Sequence, residues 1–160
     1  MIPEHHMFSG IALSPGNAVS AIIVTDEGRY LMQLRDNRPD IFFPDHWGLF
    51  GGAVDEGEGA LEAFFREIKE ELHFTPEDVH QFTSFDFDLN AMGRDKVYRT
   101  FFEVCISEKD VSGFVLGEGV EMRLFKPEQI LMKDRVVPYD SFAIWLHAFQ
   151  HRLTPASVTP

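Results

Sequence analysis

One segment of this chain, residues 58–72, restricts the possible folds more than any other. Its apolar residues recur at steps of three and four, which predicts an amphipathic helix with one buried face. That face consists of Leu61, Phe64, Phe65, Ile68 and Leu72. Another side of the same helix carries Glu67, Glu70 and Glu71 within roughly 100° of arc. The fold must therefore cover the apolar face and accommodate a dense negative charge beside it.

The three clustered glutamates predict a site for a divalent cation. Like charges at helical neighbour spacing destabilise a helix, and hard cations such as Mg²⁺ offset that repulsion through oxygen ligands. Gly51 and Gly52 precede the helix, where a backbone without Cβ can turn sharply and offer a carbonyl oxygen. Arg66 lies between the apolar and acidic faces and can brace a carboxylate. A solvated acidic face is the alternative interpretation of the cluster.

The spacing of these residues resembles the Nudix box of the MutT-like Nudix hydrolases. The matching positions are Gly52, Glu58, Arg66-Glu67-Ile68, Glu70-Glu71 and the apolar Phe74. His73 stands where the family has its last glycine, and Phe50 stands where many relatives have proline. The resemblance in the box covers residues 52–74, and the strands and helix expected on either side agree with it.

The resemblance implies an α+β fold, the Nudix-type α/β/α sandwich with a mixed central sheet. It implies one domain over residues 1–160, with a core of about 17–152 and flexible termini. Local patterns predict strands over residues 18–25, 30–34, 81–89, 96–106 and 120–125, with a short extended piece over 46–54. They predict helical turns over residues 75–78 and 127–132 and a closing helix over 141–152. The closing helix is expected to carry Phe142, Trp145, Leu146 and Phe149 on one face, and the tail over 153–160 to fray.

By the same resemblance, the metal ligands would be Glu67, Glu70, Glu71 and the carbonyl of Gly52. They would hold one to three Mg²⁺ ions, with Mn²⁺ as a substitute. Glu58 would either orient Arg66 or take a metal indirectly. The bound cations would neutralise diphosphate oxygens and lower the pKa of an attacking water.

The general base has more than one candidate. Glu70 or Glu71 can serve from within the box. Glu118 is a further candidate, since many Nudix enzymes place a glutamate just before the last strand, and an ordinary loop carboxylate is an equal alternative for it. Glu121 is a weaker candidate.

Four residues are candidates for contact with the substrate. Arg35 ends the second strand and can reach a phosphate, with a surface salt bridge as at least an equal alternative, and Arg99 can face the cleft from a later strand. Trp47 and Phe50 flank the glycine loop and can stack on a base or sugar, although packing under the loop is the favoured role for both.

Three functions are compatible with these residues. The first is hydrolysis of a nucleoside diphosphate linked to another moiety, such as a nucleotide sugar; the polar, proline-containing loop over residues 36–45 favours it slightly, because it can shape a pocket beyond the diphosphate. The second is a pyrophosphatase acting on oxidised or non-standard nucleoside triphosphates. The third is a nucleotide-sensing module without turnover, which the intact glutamate set disfavours.

Composition restricts partners and location. The net charge of −12 disfavours polymeric nucleic acid and anionic membranes as partners. The chain has neither a stretch of roughly 18 apolar residues nor an amino-terminal signal pattern, so a cytoplasmic location is expected. The partner implied by the resemblance is a small nucleotide substrate. The sequence is also compatible with a homodimer. Cys105, the single cysteine, has no partner for an intramolecular disulfide and is expected to be a buried strand residue.

Overall fold

The computed structural model describes residues 5–153, so the predicted tail over 154–160 lies outside the described residues. The strands are β1 (Ala18–Thr25), β2 (Tyr30–Leu34), β3 (Trp47–Gly48), β4 (His80–Phe87), β5 (Val97–Ile106) and β6 (Glu121–Phe125). The helices are α1 (Ala60–Leu72), α2 (Pro127–Leu131) and α3 (Pro138–Ala148).

The strands form one mixed sheet. Its order is β3-β2-β1-β5-β4, and β6 pairs with β2 off this path. β1 and β5 run parallel, with Ala18 opposite Arg99, and the other strand pairs are antiparallel. β1 is buried along nearly its whole length, because a central strand covered on both faces requires a continuous apolar run rather than alternation.

Two cores lie on opposite faces of the sheet. On one face, Phe64, Ile68 and Leu72 of α1 pack with Val19 and other β1 residues. On the other face, Ala143 and Ile144 of α3 pack with residues that include Ile22, Met32 and Phe101. The predicted helix–sheet–helix sandwich is therefore confirmed.

α3 is where the sequence-based prediction was wrong. The helix begins at Pro138 and ends at Ala148, because proline at the first turn fits the helix start; a separate 3-10 turn, Gln150–Arg152, follows. Its buried residues include Ala143, Ile144 and His147, whereas Phe142 is 52% exposed and Trp145 is 36% exposed. His147 anchors this face to the sheet, since its Nδ1 lies 2.8 Å from the hydroxyl of Tyr30.

Three smaller expectations were also wrong. α1 begins at Ala60 rather than at 58, and Leu61 in its first turn is exposed. Residues 75–78 form no helical turn. Cys105 is exposed in β5, because pairing with β4 starts at Glu103 and leaves Cys105 beyond the neighbouring strand.

Candidate active site

The glycine pair brings the backbone of the box against β1. The N–H of Val19 donates to the carbonyl of Gly52 at 2.9 Å. Gly51 has φ +132, and a Cβ there would collide with the backbone carbonyl of Val19. A Cβ on Gly52 would lie 2.6 Å from the carboxyl group of Glu67. Both positions need glycine, Gly51 for the backbone and Gly52 for the space that Glu67 occupies.

Arg66 holds the acidic side of α1 to the loop that precedes it. Its Nε and Nη2 donate to the two carboxylate oxygens of Glu58 at 2.9 and 2.8 Å, and Nη1 donates to Glu67 at 2.6 Å. Nη2 also donates to the carbonyl of Ala53. The hydrogen bonds from Arg66 lower the pKa of Glu58 to about 2. These bonds place Glu58 where it can orient Arg66, the first of its two expected roles.

Glu71 is a buried carboxylate at the centre of the site. It is 4% exposed and accepts hydrogen bonds from the N–H of Gly51 at 2.6 Å and from Nε2 of Gln33 at 3.1 Å. Burial is the main cause that raises its pKa to about 7; the charges of Glu67 and Glu118 act in the same direction, and the two hydrogen bonds act against it. Sequence reasoning missed Gln33; a glutamine within the apolar strand YLMQL was the available signal.

The loop before β6 brings Glu118 to these carboxylates. The N–H of Gly117 donates to the carbonyl of Glu71 at 2.7 Å, and a Cβ on Gly117 would collide with the carbonyl of Glu70. Gly119, with φ +84, lies against Gln33 of β2, since a Cβ on Gly119 would be 2.7 Å from the Oε1 atom of Gln33. The charge of Glu118 contributes to the raised pKa values of Glu67 and Glu71, whose main cause is burial. The structure thus brings Glu118 together with the box.

His73 takes the conformation for which the family pattern has glycine. It ends α1 in the left-handed region, with φ 50 and ψ 34, and its N–H donates to the carbonyl of Lys69. Its Nδ1 lies 3.2 Å from the carbonyl oxygen of Val115, at the start of the loop that carries Glu118. The chain therefore leaves the helix in the expected direction despite the substitution.

A cleft of about 520 Å³ opens beside the glycine pair. Loop residues 40–43, the start of β5 and the start of α3 form its walls. Arg35 and Arg99 both line it, as expected of substrate contacts. Nη1 of Arg99 donates to Ser20 at 2.8 Å, and its guanidinium lies 4.4 Å from the ring centre of Tyr139. Nε of Arg35 donates to the carbonyl of Phe42.

Trp47 and Phe50 are packing residues. Phe50 has no exposed surface and belongs to the core beneath α1. Trp47 is 7% exposed, and its ring lies 4.8 Å from that of Phe125 in the other core. Neither side chain lines the cleft. Both side chains thus have the packing role that was favoured for them over contact with a base or sugar.

Asp140 is a cleft residue that sequence reasoning missed. It is 3% exposed, and its Oδ2 accepts the N–H of Leu49 at 2.9 Å. Its Oδ1 is buried and has no hydrogen-bond partner among the described residues. Burial raises its pKa to about 6, against the lowering effect of Arg99 and of the bond from Leu49. The available signal was a single acid in the apolar segment from Val136 to Trp145.

The site fits a hard divalent cation by the chemistry of its donors. Glu67, Glu70 and Glu71 offer only carboxylate oxygens, and the carbonyl of Gly52 keeps one lone pair beside its bond to Val19. A bound cation would offset the desolvation cost and the mutual repulsion of the ionised carboxylates, which raise the pKa values of Glu67 and Glu71. Within residues 5–153, no three acidic, histidine or cysteine side chains are already arranged around a single metal position. The ligands would therefore adjust on binding, with Glu67 exchanging part of its contact with Arg66.

A comparison with protein families decides the relationship. The NUDIX domain model matches residues 14–146, which include the glycine pair, α1, Glu118 and Asp140. The chain belongs to the Nudix family. It is therefore a Nudix hydrolase.

Curated relatives agree with this assignment. The nucleoside triphosphatase NudI of Salmonella typhimurium (strain LT2) is 31% identical over 121 residues, which cover 70% of this chain and 83% of the relative. The nucleoside triphosphatase NudI of Salmonella newport (strain SL254) is 31% identical over 122 residues with the same coverage.

Solved structures share the fold. The E. coli dihydroneopterin triphosphate pyrophosphohydrolase superposes with a TM-score of 0.66 at 19% identity, covering 88% of this chain and 99% of that one. The MutT protein from Methanosarcina mazei Go1 has a TM-score of 0.64 at 23% identity, covering 86% and 94%. In the described part of this Nudix hydrolase, no helix has the length and apolar character needed to cross a membrane.

Proposed function

We propose that this Nudix hydrolase uses Mg²⁺, with Mn²⁺ as a substitute, to hydrolyse a phosphoanhydride of a nucleoside diphosphate linked to a further group. Nucleoside triphosphates are the first candidates, with phosphate as the further group. The observation that carries the proposal is the position of Gly51 and Gly52. They form one end of the cleft, and they contact the carboxylates of Glu71 and Glu67 respectively.

Glu67, Glu70 and Glu71 would hold the cation with the carbonyl of Gly52. A bound divalent cation neutralises phosphate oxygens and lowers the pKa of a coordinated water. Arg66 keeps Glu67 in place through its bonds to Glu58 and Glu67, so Glu67 stays beside Gly52, which lines the cleft.

Glu118 is the best candidate for the general base. The loop that carries it is fastened to α1 through Gly117 and to β2 through Val120, whose N–H donates to the carbonyl of Leu34 at 2.8 Å. Glu71 already accepts two hydrogen bonds and is nearly enclosed, which leaves its carboxylate less free to take a proton from water. Arg66 is a positioning residue rather than a proton acceptor.

The cleft supports a nucleoside as the bound group. Its volume of about 520 Å³ suits a small ligand, and its lining combines aromatic rings with a few polar groups, as binding sites commonly do. Arg35 and Arg99 supply positive charge for phosphate or sugar oxygens in an otherwise acidic protein. The free Oδ1 of Asp140 supplies a buried polar contact.

Nucleoside triphosphates are placed first because the NudI relatives carry that activity in their names. A nucleotide sugar is the second candidate. Residues 40–43 of the loop line the same cleft as Gly52, so the loop can contact a group attached to the diphosphate. A nucleotide-sensing module without turnover is disfavoured, since Glu58, Arg66, Glu67, Glu70 and Glu71 are all present.

A substrate panel with Mg²⁺ tests the proposal. Canonical and oxidised nucleoside triphosphates, nucleotide sugars and ADP-ribose are incubated with the protein, and released phosphate, pyrophosphate and nucleoside monophosphate are measured. We expect turnover that EDTA abolishes and that Glu67→Gln lowers by at least about a hundredfold, a loss typical of removed catalytic electrostatics. Saturable nucleotide binding without products would instead identify a sensing module.

A further inference from the structure

The loop over residues 36–45 is held in place by contacts that the catalytic groups do not share. Asp45 takes part in several of these contacts. Its carboxylate forms an ion pair with Arg135, from the segment before α3. Its N–H donates to the carbonyl of Asp36 at 3.2 Å, which closes the base of the loop on itself.

The amino-terminal segment reinforces the same loop. Nε2 of His5 lies 3.8 Å from the carboxylate of Asp45, and the ring of His5 contacts that of His46 edge-on at 5.8 Å. The hydroxyl of Ser9 donates to the carbonyl of Pro39 at 3.3 Å. The loop is therefore fastened from two directions, by the segment before α3 and by the amino-terminal segment.

The loop backbone requires such support. Phe43 and Asp45 both have positive φ, at 51 and 57. A bulky side chain is disfavoured in this left-handed region, so Phe43 adopts it only where surrounding contacts prevail. The ring of Phe43 contacts His46 and Tyr139 edge-on, each at 5.7 Å, and thereby forms part of the wall of the cleft.

Arg135 connects the loop over residues 36–45 to the cleft wall formed by the start of α3. It also has positive φ, at 56, and its carbonyl accepts the N–H of Trp47 at 2.9 Å. Tyr139 and Asp140 of the cleft begin α3 shortly after it. One ion pair thus joins the loop on one side of the cleft to the start of the helix on the other.

We propose that the Asp45–Arg135 ion pair is a clasp that holds loop 36–45 against the start of α3, and that both residues position the cleft wall for the nucleotide. Among the described residues, neither forms a hydrogen bond or ion pair with the carboxylate cluster. The clasp sets the affinity for substrate and leaves the chemical step unchanged. This consequence for kinetics rests on the proposed function, whereas the order of the loop does not.

The test uses Asp45→Asn, Arg135→Gln and the double variant. Asparagine is chosen because it tolerates positive φ, so the backbone conformation is retained while the charge is lost. We expect each single variant to raise KM by about fivefold with kcat within about twofold, the pattern of lost uniform binding. The double variant should be no worse than Asp45→Asn, because that substitution already removes the ion pair with Arg135.

Arg29→Gln is the matched control. Arg29 and Glu108 also form an ion pair between two separate segments, but at the far end of β1. At about 3.3 Å per strand residue, this pair lies roughly 20 Å from the cleft end of β1. Arg29→Gln should lower the thermal midpoint of unfolding without changing KM. Equal KM increases in the control and in Asp45→Asn would overturn the clasp.

Hydrogen exchange measured by mass spectrometry separates the clasp from the proposed function. In Asp45→Asn and Arg135→Gln, amides within residues 36–45 should exchange faster, while those of β1 and β5 are unchanged. If the wild-type protein hydrolyses nothing in the panel, the proposed function fails and this measurement still decides the clasp. Unchanged exchange in the loop overturns the clasp whatever the kinetics show.

Discussion

Gly52 and Glu67 are in direct contact across the corner between the glycine loop and α1. A Cβ on Gly52 would lie 2.6 Å from the Cδ and Oε2 atoms of Glu67. Glu67 cannot turn aside freely, because Arg66 donates to its other oxygen. Glycine is therefore required at position 52 mainly because the carboxylate of Glu67 occupies the space that a Cβ would need, and only secondarily because of the backbone conformation.

Gly52→Ala should lower activity and leave the fold nearly intact. The added methyl group meets the end of a side chain, so Glu67 moves and a candidate metal ligand is displaced. We expect kcat to fall by at least about tenfold, with a change in unfolding free energy below about 1 kcal/mol. Activity assays and thermal unfolding of the same preparation check this.

Gly51→Ala provides the contrast to Gly52→Ala. Its Cβ would collide with the backbone carbonyl of Val19, and φ +132 is strained for any side chain. We expect a loss of roughly 2–4 kcal/mol in the free energy of unfolding. The account of both glycines is wrong if the two variants lose stability equally.

The metal-free protein should become less stable as pH rises from about 4.5 to 7. The pKa of Glu71 is raised to about 7, so in this window the folded protein binds the proton more strongly than the unfolded chain. Stability from this group is therefore present below the unfolded pKa and lost as pH rises, by about 3 kcal/mol in total. Thermal midpoints measured in EDTA across this range test it.

Glu71→Gln serves as the comparison for that pH dependence. The variant has no charge to bury, so its midpoint should vary less between pH 5 and pH 8 than that of the wild type. Parallel profiles for the two proteins would show that Glu71 is not the group responsible.

Mg²⁺ should stabilise the folded protein, and more at pH 8 than at pH 5. Ionised carboxylates bind the cation, and a ligand at about 100 times its Kd adds about 2.7 kcal/mol. Glu67→Gln should lose most of this gain. Glu62→Gln should keep it, since Glu62 only accepts the N–H of Gly59 at the opposite end of α1. Calorimetry with and without Mg²⁺ measures the difference.

Glu118→Gln should lower kcat while Mg²⁺ stabilisation persists. A general base typically contributes about 10²–10⁴-fold, so a decrease in that range is expected. Glu121→Gln is the control, because Glu121 is partly exposed and pairs with Arg123. If Glu121→Gln loses the activity and Glu118→Gln retains it, the base is assigned to the wrong glutamate.

Local pattern alone was sufficient for the first two strands and for most of the catalytic helix. β1 and β2 have their predicted bounds, because their apolar runs end at clear turn residues. Within α1, Phe64, Ile68 and Leu72 are buried as the helical period requires, and the clustered glutamates lie to one side of that face, with Glu71 itself buried. The spacing of the box could be read directly, since residues three and four apart on a helix are neighbours.

Other features depended on contacts between distant segments. No local rule brings Glu118 to Glu71 or buries Asp140 beneath Leu49; the first follows from the glycines around Glu118 and the second from where Pro138 starts α3. Phe142 and Phe50 illustrate the same limit, because an apolar side chain alone does not reveal which face the sheet will cover. Helical periodicity was enough to predict α1 and the positions of its charges. Which other side chains lie near them could not be predicted in this way, because burial and long-range pairing are properties of the assembled chain.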